Sequence, residues 1–226
     1  MPTLCLCGID TGIGKSVATG LLARHLLEQD QKVITQKLVQ TGCTERPEDI
    51  LLHRRLMECG WLKEDEEKLT CPYCFPFPGS PHLAARLAEK TIDPARISRA
   101  TRLLEERFAW VLLEGAGGLL VPLQEELTLL DYLAAEGYPL VLVTSPRLGS
   151  INHTLLSLEI LRARKLRLVG LVYNLFQAAP NEIVQDTLRF FSRALQEHGF
   201  ADTIVVLPTW PHSLRVDWQR LIAAAT

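Results

Sequence analysis

Residues 3–16 read Thr3-Leu4-Cys5-Leu6-Cys7-Gly8-Ile9-Asp10-Thr11-Gly12-Ile13-Gly14-Lys15-Ser16. The first five are short and apolar, the pattern of a buried strand. From Val17 onward, Leu21, Leu22, Ala23, Leu26 and Leu27 fall at helical spacing. A glycine-bearing loop between a buried strand and a helix is the context of a phosphate-binding loop. Glycines let the backbone curl until several N–H groups converge on one point, and the helix start adds a dipole that favours an anion there. Lys15 would then reach the β- and γ-phosphates, and the Ser16 hydroxyl would ligate Mg²⁺. The strict pattern puts a glycine at position 9, where Ile9 stands; Gly8 lies one place earlier. Strand, loop and helix agree on a nucleotide-triphosphate site.

Further along the chain the same alternation repeats. Lys32 to Gln36 predicts a second strand with Lys37 at its C-terminal end, the edge where functional groups of open α/β sheets collect. Thr41 to Thr44 reads as a turn, and Pro47-Glu48-Asp49 opens a helix to about Cys59. Asp49 there is either a first-turn acid or a metal ligand. Lys63 to Lys68 reads as a solvated charged surface. Ser80-Pro81 and Asp93-Pro94 each start a helix, with a capping residue followed by proline at the first position. Ala109 to Glu114 is a buried strand ending on an acid, before the glycine run Gly115-Ala116-Gly117-Gly118. A carboxylate terminating a strand beside a phosphate loop is the usual second metal-handling group. Leu119 to Leu123 is apolar, Leu127 to Ala135 helical, and Pro139 to Thr144 another buried strand. Arg147 to His153 leads into a helix whose first turn combines free N–H groups with Arg147 and Asn152, a second anion-binding candidate. Leu166 to Tyr173 makes a strand ending at Asn174; a helix from about Pro180 to Glu197 and a strand from Thr203 to Leu207 follow. The expected fold is α/β: a P-loop, doubly wound, mostly parallel sheet of about seven strands flanked by helices, in a single domain over residues 1–226.

Composition agrees. The chain has 226 residues, 47% of them hydrophobic, enough for one sizeable core. A net charge of −2 gives no general footprint for nucleic acid or membrane. No stretch approaches the ~20 uncharged apolar residues of a spanning helix. The N-terminus lacks a basic start and cleavage region, so a cytoplasmic location is expected. Cys5 and Cys7 should share one face of the first strand as small buried hydrophobes. Cys71-Pro72-Tyr73-Cys74 also matches a redox motif, but Phe75-Pro76-Phe77-Pro78-Gly79 follows it and denies the first cysteine a helix dipole. A structural or incidental role is expected for both.

In combination these landmarks resemble the dethiobiotin synthetase family, over about Cys7 to Pro208. The resemblance rests on the order and spacing of GIDTGIGKS, Lys37 with Thr41-Gly42, Pro72-Tyr73, Ser80-Pro81-His82, Glu114-Gly-Ala-Gly-Gly, Gly149 to His153, and Asn174. It implies an ATP-dependent ligase that joins CO₂ to 7,8-diaminopelargonate and closes a cyclic urea through a carbamate and a carbamic-phosphoric anhydride. By resemblance Lys37, Lys15 and Thr11 are catalytic. Gly12, Ile13, Gly14, Lys15, Ser16, Val17, Glu114, Asn174 and Pro208 would hold ATP. Ser16, Asp49 and Glu114 would hold Mg²⁺. Lys37, Thr41, Ser80, Gly117, Arg147, Gly149, Ser150 and Asn152 would bind the substrate, the last four at its carboxylate. In the family that carboxylate site comes from a second subunit, which implies a homodimer with shared sites.

The chain departs from the family pattern in places. Gly12 replaces a common acidic residue, Arg147 stands where lysine is usual, a tyrosine on the helix after Asn174 is absent, and the end from Thr209 is unlike the family. The alternative is an ATP-driven partitioning switch of the same fold. Such switches carry an extra lysine five residues before the loop lysine, where this chain has Asp10.

Overall fold

The computed structural model describes residues 3–176, 179–209 and 216–225. The chain begins with β1 (Thr3–Gly8), every residue of which is buried, and turns through the glycine loop into α1 (Lys15–Leu27). β2 (Val33–Lys37) and the short β3 (Gln40–Thr41) precede α2 (Glu48–Leu56) and α3 (Lys63–Glu66). β4 (Cys74–Phe75) leads to α4 (Pro81–Leu87) and α5 (Pro94–Glu105). Then come β5 (Trp110–Gly118), a small hairpin of β6 (Pro122–Gln124) and β7 (Leu127–Thr128), and α6 (Leu129–Glu136). The last part comprises β8 (Leu140–Thr144), α7 (Ser150–Ala163), β9 (Leu168–Asn174), α8 (Asn181–Glu197), β10 (Ile204–Leu207) and α9 (Gln219–Ala225).

Six strands form one sheet in the order β10-β9-β8-β1-β5-β2, and every pairing in it is parallel. Parallel strands covered on both faces need apolar residues at consecutive positions. Leu4-Cys5-Leu6-Cys7, Val111-Leu112-Leu113 and Leu140-Val141-Leu142-Val143 supply them, each residue at most 1% exposed. Cys5 and Cys7 do share a face, with their sulfurs 3.6 Å apart. The central strand is β1. The chain crosses first to β2 at one edge and returns to lay β5 between β2 and β1, then builds outward on the other side through β8, β9 and β10. Loops leaving strands on either side of such a reversal diverge and leave a crevice at the carboxyl edge. The glycine loop sits there.

Several boundaries differ from the sequence reading. The main sheet has six strands where about seven were expected, and the end of the apolar run Leu119 to Leu123 enters the separate β6–β7 hairpin. β5 does not stop at Glu114 but continues through the glycines to Gly118, which pairs with Gly8. Thr128 is not helical; it caps α6 by accepting the Asp131 N–H, while Asp131 accepts the Thr128 N–H in return. The run from Lys63 is not merely a solvated surface: Asp65 is buried and ion-paired to Arg54. Cys74 is joined by a disulfide to Cys43, tying the exit of β3 to β4, whereas Cys71 stays a buried thiol. No described helix is long and apolar enough to cross a membrane.

Candidate active site

The glycine loop closes on α1 through Gly14, which adopts φ +92° at the N-cap. A side chain there would be strained by the backbone and would collide with the Asn174 amide. Asn174 stands at the end of β9 and donates from Nδ2 to the Ile13 carbonyl at 3.0 Å. Its Oδ1 accepts the Phe176 N–H at 3.1 Å. Asn174 therefore braces the loop as well as facing the cleft. Lys15, only 6% exposed, curls back and donates to the Asp10 carbonyl at 2.8 Å. Burial, followed by repulsion from Lys37, brings its pKa down to about 8.

Opposite the loop lies a charge cluster set by strand register. Lys37 and Glu114 are direct Cα partners across β2 and β5, so two strand-end residues far apart in sequence meet. Lys37 Nζ is 2.7 Å from Glu114 Oε1, 2.7 Å from Asp49 Oδ2 and 3.2 Å from the Gly115 carbonyl. The Ser16 hydroxyl lies between the same two acids, 2.8 Å from Asp49 Oδ1 and 2.9 Å from Glu114 Oε1. His53 Nε2 meets the other Glu114 oxygen at 2.8 Å. Burial would raise the Glu114 pKa, but Lys37 and then His53 hold it well below the usual carboxylate range. Burial would lower that of Lys37, but Glu114 and Asp49 push it well above the usual lysine value. The pair is thus ionised, and each charge is compensated inside the fold.

Two carboxylates and a hydroxyl form an all-oxygen set. That is the chemistry of a hard divalent cation completed by phosphate and water, and Mg²⁺ fits it. The Ser16 hydroxyl between both acids is the observation that supports this fit.

A cleft of about 750 Å³ holds most of the predicted residues: Thr11, Gly12, Gly14, Lys15, Ser16, Val17, Lys37, Thr41, Asp49, Ser80, Glu114, Gly117 and Asn174. Ile13 takes part through its carbonyl. Pro208 follows β10 but does not line the cleft, and residues 210–215, where the sequence departs from the family, lie outside the described residues. Arg147, Gly149, Ser150 and Asn152 are also not in this cleft. Arg147 is paired with the Asp10 carboxylate, which it holds below the usual range. The Ser150 N–H donates to the Arg147 carbonyl at 2.9 Å, and its buried hydroxyl is 3.3 Å from Ser145 Oγ. Gly149 and Asn152 face solvent. Beside α7 runs a second groove lined by Ile9, Asp10, Leu120, His153, Leu156 and Ile160, with Leu120 and Leu156 more than half exposed.

Among the residues the sequence did not single out for the site, two matter most. Phe176, 69% exposed, rims the cleft beside Asn174. His53 is fully buried on Glu114. Its signal was present as the i, i+4 spacing from Asp49, which puts both on one face of α2.

Fold and cleft together define a P-loop nucleotide-dependent protein, and residues 2–212 match the family described as an AAA domain. Among curated proteins, the chain is 49% identical over 194 residues to an ATP-dependent dethiobiotin synthetase of Pasteurella multocida, covering 86% of this chain and 91% of that one. It is 49% identical over 203 residues to the enzyme of that name from Chlorobaculum tepidum, covering 90% and 85%. The chain belongs to the ATP-dependent dethiobiotin synthetase family. Among solved structures it resembles a ParA family ATPase from Chlorobium tepidum (TM-score 0.53, 14% identity, 99% and 89% covered) and the cell division ATPase MinD of Pyrococcus furiosus (0.54, 15%, 99% and 89%). At such identities the likeness shows the fold and nothing of the partitioning alternative, which the sequence relatives do not favour.

Proposed function

We propose that this chain, a single domain acting as a cytoplasmic homodimer, makes dethiobiotin from 7,8-diaminopelargonate, CO₂ and ATP with Mg²⁺. One neutral amine of the substrate adds to CO₂, giving a carbamate and a proton. A carbamate oxygen attacks the γ-phosphorus and ADP leaves, forming a mixed anhydride. The second amine attacks the anhydride carbon, phosphate departs, and the urea ring closes. In such phosphoryl transfers the protein supplies position and charge.

Lys15, with the loop N–H groups and Thr11, would hold the phosphates. Ser16, Asp49 and Glu114 would hold Mg²⁺, which supplies charge neutralisation on the β- and γ-phosphates. Lys37 is ionised and buried at the strand edge, so it can stabilise the carbamate anion and the charge on the transferring phosphoryl group but is a poor base. Thr41, Ser80 and Gly117 would flank the diamine, and Asn174 would face the base. The N–H groups at the start of α7, with Gly149, Ser150, Asn152 and Arg147, would receive the carboxylate of a substrate seated in the partner's cleft. Their position outside their own cleft, beside a groove with exposed leucines, supports that arrangement.

The observation that carries the reading is the strand-edge lysine held between two acids across the cleft from the loop lysine. Incubation with ATP, diaminopelargonate and bicarbonate should yield ADP and a urea product, with neither formed when bicarbonate or diamine is omitted. ATP hydrolysis that ignores the diamine and responds to DNA would overturn it.

A further inference from the structure

Among the described residues around the charge cluster, His53 stands out as a polar side chain that is wholly buried yet makes a single polar contact. Its Nε2 donates to Glu114 Oε2 at 2.8 Å, both residues are at most 1% exposed, and its Nδ1 has no hydrogen-bond partner. A buried nitrogen without a partner is costly, and an aliphatic side chain would fill this buried place without that cost. The imidazole is therefore accounted for by Glu114 and not by packing. Glu114 Oε1, in contrast, faces Ser16 Oγ and Lys37 Nζ at 2.9 and 2.7 Å. The two carboxylate oxygens are thus divided, one tied into the protein and one turned to the cation position.

We propose that His53 is a positioning residue that fixes the Glu114 carboxylate so that Oε1 alone is presented to the divalent cation accompanying the nucleotide. The inference rests on the reading of Ser16, Asp49 and Glu114 as the cation site. Asp49 and His53 are four residues apart on α2, so one helix face carries an acid of that site and the brace for the other acid. Any shift of α2 moves both together. Without the brace, Oε2 is a buried carboxylate oxygen with no donor, and the group is free to rotate toward Lys37. Hydrogen-bond partners of this kind behind a metal ligand are worth about 10–100-fold in metal affinity.

Three variants test this. The terminal amide of His53→Gln can reach where Nε2 now lies; the shorter amide of His53→Asn cannot; His53→Leu has no donor. ADP binding is measured by titration calorimetry in EDTA and again in saturating Mg²⁺, and the ratio of the two affinities gives the metal coupling. Melting temperature is recorded alongside. Native protein and His53→Gln should show similar coupling, while His53→Asn and His53→Leu should lose it about 10-fold or more with ADP affinity in EDTA little changed. Should Leu fail to fold, the Asn and Gln pair carries the comparison. Unchanged coupling in His53→Asn, or equal loss in Asn and Gln, would reduce His53 to a structural residue and overturn the proposal. Absence of any coupling in the native protein would instead remove the cation site itself, and the proposal with it.

Discussion

Lys15 and Lys37 carry the same charge and line the same cleft, yet their environments differ. Lys15 touches only a backbone carbonyl and has its pKa brought down to about 8, so its charge lacks a close carboxylate until phosphate arrives. Lys37 is already compensated by Asp49 and Glu114. Lys15→Ala should therefore lose the greater part of its ATP affinity. Lys37→Ala should lose less ATP affinity but more stability, on the order of 3–5 kcal/mol, because the buried Glu114 and the partly exposed Asp49 are left without the cation between them. Added Mg²⁺ should restore part of that lost stability. Calorimetry and thermal melts with and without Mg²⁺ check both, and equal loss of ATP affinity in the two variants would count against the role given to Lys37. The sequence placed Lys37 and Glu114 at strand ends from apolar runs, and Lys15 in the glycine loop from the strand and helix on either side of it. It could not bring Lys37 onto Glu114, because that contact depends on β2 pairing with β5 in a particular register, a property of the sheet and not of either segment.

At the scale of elements, α3 is the part that local pattern concealed. Its acids Glu64, Asp65, Glu66 and Glu67 look alike in sequence, but only Asp65 is buried, and it accepts from Arg54, Thr70 Oγ1 and the Leu62 N–H. Arg54 also donates to Thr35 Oγ1 at 2.8 Å, so one guanidinium locks α2, α3 and β2 together. Burial tends to raise the Asp65 pKa, but Arg54 and the other donors bring it below its ordinary 3.8. A carboxylate with a depressed folded-state pKa contributes stability above its unfolded value and loses it as pH falls through the folded one. Asp65→Asn should accordingly cost about 3–5 kcal/mol at neutral pH, since Arg54 is then buried without a counter-ion. Its difference from the native protein should shrink as pH drops below 3.8. Denaturant melts across that range measure it, and a difference that stays constant into acid would show that the carboxylate charge is not responsible. The proline-rich stretch after α3 shows the same limit of local pattern. Its prolines deny it a helix, as expected, but β4 within it and the Cys43–Cys74 link both depend on β3 lying beside it.

For the whole molecule, six of the predicted strands and their alternation with helices follow from apolar runs, and the main sheet is theirs. The hairpin after Gly118 and the final α9 escaped because both are short and are organised by what they pack against. The sequence offered the α7 start as a candidate anion site, and its own chain does not bring it to the cleft. Mixing two inactive proteins tests the shared-site arrangement. A Lys37→Ala chain and an Asn152→Asp chain, dissociated and reassembled, should recover activity, because one of the two sites in each heterodimer would carry neither substitution. Proven heterodimers without recovery would confine the carboxylate site to one chain. The separation of α7 from its own cleft has one more consequence. If, as proposed, each chain lends half of what its neighbour needs, turnover per chain would not be a constant of the molecule but a function of how much of it is present. Activity would then rise steeper than linearly with enzyme at low concentration, and a cell diluting this protein below its dissociation constant would stop the reaction without unfolding, modifying or degrading a single chain.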